Sequence, residues 1–162
     1  MFKNKTHVLM LLISLTLLTA FSKQDPFIVR SVETNVLKTA GVLRYDIVLK
    51  KSKDLKLDYD AGDSPGHRMF HHGNGINFAI RPNQSLASLM ELEKNTKYVK
   101  MEYRGGGNSG NISGEDETTL NLEYAIKKGS DFEEVRNSAL DSTLLILMGN
   151  KVIAEIPLNK KE

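Results

Sequence analysis

The chain has 162 residues, 40% of them apolar and 26% charged, with 12 glycines, 4 prolines and no cysteine. That composition excludes collagen-like, disulfide-stapled and fully disordered chains, and without cysteine there is no disulfide, no cysteine-based zinc site and no thiol nucleophile. Only the first 22 residues hold a long apolar run, which excludes a multi-span membrane protein.

Residues 1–22 read as a secretory signal peptide. Lys3 and Lys5 make a positive start, residues 8–20 (VLMLLISLTLLTA) are apolar, and Ala20 and Ser22 supply small residues for cleavage after Ser22. The alternative is an uncleaved anchor, because residues 6–22 form an uncharged run at the lower edge of what spans a bilayer. Either way the rest of the protein is expected to be secreted or extracytoplasmic, touching a membrane only through an uncleaved leader. Taking Lys3 and Lys5 from the 22 basic residues leaves 20, against 20 acidic ones. The mature chain then has no net charge, so no overall basic field exists to attract nucleic acid.

Residues 23–162 have the length of one domain with one core. An early strand is expected at 27–32 (FIVRSV). Over 42–50, Leu43, Tyr45, Ile47 and Leu49 alternate with Arg44, Asp46, Val48 and Lys50. The same period of two recurs at Leu55, Leu57 and Tyr59, at Ile76, Phe78 and Ile80, at Val99, Met101 and Tyr103, and at Leu120, Leu122, Tyr124 and Ile126. Such alternation puts one side of each strand on a core and the other in water, the habit of antiparallel sheets. It also places Tyr45, Tyr59, Tyr103 and Tyr124 in the core and leaves Tyr98 on the polar phase beside Lys97 and Lys100.

Residues 85–93 (SLASLMELE) fit either a helix turn or a strand, and the strand is preferred. A short helix is expected near 130–138, opened by a capping box of Ser130 and Glu133. Two apolar runs, 143–148 and 151–158, flank Gly149-Asn150, a hairpin signal. Seven to nine short strands predict an all-β, mainly antiparallel fold: a single β-sandwich, immunoglobulin-like in architecture, with a small β-barrel as the alternative. With neither Cys nor Trp, the pinning residues of a true antibody-type domain are absent.

Two loops gather the candidate site residues. The segment 58–75 holds Asp58, Asp60, Asp63, His67, Met69, His71 and His72 among glycines. If 67–71 is extended, His67, Met69 and His71 share a face, and imidazole with thioether suits copper, imidazole with carboxylate zinc. Asp58, Asp60 and Asp63 could instead hold calcium at a sandwich end, although Met69 stands where an EF-hand needs its bidentate glutamate. The second loop, 105–117, satisfies G-x-G-x-x-G at Gly105, Gly107 and Gly110, but Glu115, Asp116 and Glu117 follow and would repel phosphate. It is expected to be a flexible hairpin loop. Lys50, Lys51, Lys53 and Lys56 crowd one junction, as lysines do where they blunt an edge strand.

No catalytic constellation stands out. Asp63, Ser64 and His67 are neighbours in sequence, whereas a triad is fixed by separate rigid elements. The expectation is an exported, non-catalytic binding or structural module of the cell envelope or extracellular space, with a protein or envelope partner. The alternatives are an extracytoplasmic Cu or Zn protein using His67, Met69, His71 and His72, and a small secreted hydrolase or inhibitor with Asp63 and His67 at its site.

Overall fold

Seven strands and two short helices are built by residues 26–52, 76–94, 97–109, 117–149 and 151–159, the residues described in a computed structural model of the chain. In order they are β1 (Phe27–Leu37), β2 (Val42–Lys51), β3 (Ile76–Pro82), α1 (Gln84–Leu89), β4 (Tyr103–Ser109), β5 (Glu117–Ala125), α2 (Phe132–Ser138), β6 (Ser142–Met148) and β7 (Lys151–Pro157). They form two open antiparallel sheets, β1-β2-β5-β4 and β3-β6-β7, rather than a closed barrel. This is the strand order of the constant-type immunoglobulin sandwich, reached here without its disulfide or its tryptophan.

Period two is what assembles it. Leu43, Tyr45, Ile47 and Leu49 of β2 are all buried, and β5 sets Tyr124, Leu122 and Leu120 opposite the first three. Ile76, Phe78 and Ile80 of β3, with Leu144 and Ile146 of β6, complete the same core from the second sheet. Burying each such side chain contributes about 1.5–3 kcal/mol, so the interior between the sheets is the main source of stability. β6 departs from alternation because both of its faces are buried. Leu145 and Leu147 form a second cluster with Ala79 on the outer face, flanked by Tyr98 and Val152. A continuous apolar run is how a strand buried on both sides reads.

The turns follow their chemistry. Residues 38–41 join β1 to β2, with Gly41 at φ 61° and its N–H donating to the Lys38 carbonyl at 3.2 Å. Gly149, between β6 and β7, has φ 56°, the conformation a tight hairpin asks of its Gly-Asn link.

Four local expectations are corrected. Residues 84–89 are helical, not extended: Leu86 is buried in the core with Leu89 packed beside it, and Ser85 and Asn83 donate to the Asp141 carboxylate. The strand phase survives only beyond it, where Met90 and Leu92 bridge to Ile126 and Met101. The cap of α2 is Asp131, one residue past Ser130, because its carboxylate accepts from the N–H groups of Glu133 and Glu134 while the Ser130 hydroxyl donates to the Leu89 carbonyl. The glycines at 105–107 are not loop but part of β4, held by pairing with β5 through a bulge between Tyr103 and Gly105. Finally, Val99 is 55% exposed, whereas Tyr98 is half-buried against the outer cluster with Lys97 Nζ 5.5 Å from its ring centre.

Candidate functional site

The β2–β5 pairing carries two chain reversals to the same end of the sandwich. Val42 faces Ala125, so the 38–41 turn meets the 126–130 segment, and the Ile126 N–H donates to the Gly41 carbonyl at 2.9 Å. Between them, with the start of β4, lies a cleft of about 500 Å³. Lys38, Arg104, Lys127 and Lys128 line it, and among the described residues no acidic one does. Gly41 and Gly129, at φ 61° and 89°, form part of its wall, with open space where a side chain would start. Phe132 of α2, half-buried on the core, supplies an apolar side.

The charges are not equivalent. Lys38 Nζ lies 3.4 Å from a Glu133 oxygen, and Arg104 lies 3.2 Å from Glu102, both on the surface. Among the described residues Lys127 and Lys128 have no ion-pair partner, and both are exposed. The cleft therefore keeps two uncompensated positive charges on loops that the sheets hold in place, a geometry that attracts anions. Among the described residues it has no carboxylate or imidazole to serve as a base, and the Ser130 hydroxyl is committed to Leu89.

A second polar cluster covers the outer face of the first sheet. Arg44 and Asp46 share that face of β2, and the register sets Asn121 beside Asp46 and Glu123 beside Arg44. Arg44 donates to Asp46 through Nε at 3.0 Å and Nη2 at 2.9 Å, Asn121 donates to the same carboxylate, and Glu123 lies 3.9 Å from Arg44. Partial burial works to raise the Asp46 carboxyl, but the bonds from Arg44 and Asn121, the Arg44 charge and Asn35 outweigh it and hold it below its ordinary value. This carboxylate is thus already fully engaged by its neighbours and holds strands together.

A third feature is a groove of about 450 Å³ between β1 and the end of β7, lined mainly by apolar side chains including the exposed Ile28 and Leu140. Arg30, the one cation among its described lining residues, lies 3.8 Å from Glu117.

The residues singled out from sequence fare differently. His67, Met69, His71 and His72, the Asp58, Asp60 and Asp63 set, and Ser64 lie outside the described residues, as do the leader 1–22, Lys53, Lys56 and Tyr59. Among the described residues no three His, Asp or Glu side chains converge as a metal site, and no helix is long and apolar enough to cross a membrane. Tyr45 and Tyr124 are core residues, and Tyr103 packs half-buried against the core. The cleft cations had no local signature: Lys38 and Lys127 are far apart in sequence, and only the strand order makes them neighbours. The Lys-Lys-Gly run at 127–129 was the one visible trace. No protein-family model, curated protein or solved structure matches the chain.

Proposed function

We propose that this chain is an exported, non-catalytic binding module of the cell envelope or extracellular space, which holds its ligand at the cationic end of the sandwich. The observation that carries this is the cleft itself, where four cations from three separate segments converge on about 500 Å³ with no acid among the described lining residues. That volume lies within the usual range of small-ligand sites. The chemistry of its described walls supports holding an anion, since positive charge and main chain are what they present. Two other polar groupings act within the fold: Tyr45 and Tyr124 tie the core, and Arg44, Asp46 and Asn121 tie β2 to β5. Export is supported by the sequence of residues 1–22.

The test is to express the full chain in a bacterial host, separate cytoplasm, envelope and medium, and sequence the N-terminus of the recovered protein. Recovery outside the cytoplasm with Lys23 as first residue is expected. Retention in the cytoplasm with Met1 intact would reject the exported module.

A further inference from the structure

We infer that the cleft recognises a phosphate monoester. Charge matching points to this ligand. Glu133 and Glu102 offset Lys38 and Arg104, which leaves the charges of Lys127 and Lys128 uncompensated, two in all. A phosphate monoester carries −1.5 to about −2 at neutral pH with three strong acceptor oxygens, whereas a single carboxylate offers half that charge. Arg104 adds the planar fork that pairs two oxygens at once, and the lysines act as mobile point charges around it. Phe132 gives the carbon part of the ester an apolar side to lie against. Gly41 and Gly129 leave the approach open, since a Cβ at either would project into free space rather than against the protein.

The monoester could arrive as a free small molecule or as the head of a lipid such as phosphatidic acid; the recognition chemistry is shared. The inference rests on the binding-module reading, and the experiment separates the two. Purified protein is titrated calorimetrically at low salt with glycerol 3-phosphate and, in parallel, with glucuronate as a carboxylate probe of similar size. Saturable binding of glycerol 3-phosphate is expected, at least tenfold tighter than glucuronate. It should weaken as pH drops from 7.5 to 5, because the second phosphate ionisation lies near 6. Lys127→Ala with Lys128→Ala should weaken it at least tenfold, and Lys151→Ala, outside the cleft, should not change it. Exposed lysine substitutions alter stability little, so an unchanged circular dichroism spectrum will confirm that the double variant is folded. Co-sedimentation with phosphatidic acid vesicles, but not phosphatidylcholine vesicles, would support the lipid source; binding of the soluble ester alone would support the free one. Saturable glucuronate binding at the same lysines without a preference for phosphate would overturn the ligand and keep the module. Absence of saturable binding by either probe, or indifference to the double substitution, would overturn both.

Discussion

Tyr124 stands edge-on to Tyr45, with ring centres 6.0 Å apart and planes at 79°, and the two hydroxyls end on different parts of the opposite layer. The Tyr45 hydroxyl donates to the Ala139 carbonyl at 2.6 Å, just before β6, while the Tyr124 hydroxyl accepts from the Ile80 N–H of β3 at 3.0 Å. Tyr103 meets Tyr124 edge-on from the other side, again at 6.0 Å. In a sandwich without cysteine or tryptophan, these rings join the sheets with directional bonds that the aliphatic core lacks.

The two hydroxyls differ in what their removal would strand. Tyr124→Phe leaves the buried Ile80 N–H without its acceptor and should cost about 1–3 kcal/mol. After Tyr45→Phe the Ala139 carbonyl still accepts from the Ser142 hydroxyl at 2.8 Å, so the loss should be smaller, about 0.5–1.5 kcal/mol. Urea unfolding of the two variants checks the order, and a larger loss for Tyr45→Phe would contradict it.

The same burial predicts alkaline instability. Burial pushes both phenols up, Tyr124 partly relieved by the Ile80 N–H and then loaded by its ring neighbours, Tyr45 partly relieved by Ser142, whereas Tyr103 is pushed up to about 12 by burial and then by Glu123. A phenol raised in the folded state keeps its stabilising effect below the unfolded value near 10 and loses it above, as the unfolded chain ionises first. Stability should therefore fall above pH 10 by about 1.4 kcal/mol per pH unit for each buried ring. In ultraviolet titration, Tyr45 and Tyr124 should ionise only together with loss of structure. Full ionisation of all five tyrosines with the fold intact would refute this.

Period two made most of the fold legible. Leu43, Tyr45, Ile47 and Leu49 announce a half-buried strand because each outward neighbour is polar or tolerant of water, and the run at 143–148 announces one buried on both faces. What local pattern could not show was structure imposed from elsewhere. Gly105 to Ser109 has little strand preference of its own and becomes β4 because β5 pairs with it. Residues 84–89 carry both periods, and the choice falls to Leu86 sealing the core and Asp141 receiving Asn83 and Ser85. The cationic cleft was hidden for the same reason, since Lys38, Arg104 and Lys127 meet only through strand order.

Neighbouring glycines in β4 should respond in opposite ways. Gly106 sits at φ 137°, and a Cβ there would lie 1.9 Å from the Asn121 carbonyl oxygen, a main-chain atom that cannot swing aside. Gly107 has negative-φ freedom and nothing within 4 Å of an added Cβ. Gly106→Ala should cost roughly 2–4 kcal/mol or detach β4, whereas Gly107→Ala should stay within about 0.5 kcal/mol of the parent. Thermal denaturation monitored by circular dichroism would show the contrast, and equal effects at the two positions would rule out the close approach of Gly106 to the Asn121 main chain.

Asp46 gives the acid side of the pH profile. Its carboxyl is held below the ordinary 3.8 because Arg44, Asn121 and Asn35 outweigh the burial that opposes them. The unfolded chain therefore takes up the proton first as pH falls, and the stabilisation, complete above about pH 5, is lost as the solution passes down through the native value. Asp46→Asn removes the charge at every pH, and one of its two acceptor oxygens becomes an NH2 group facing Arg44. At pH 7 the variant should be less stable by about 1–2 kcal/mol in urea unfolding. At an acid pH low enough to protonate the native carboxylate, the gap should narrow. A gap that stayed constant between the two conditions would mean that the packing of residue 46, and not its ionised carboxylate, joins β2 to β5.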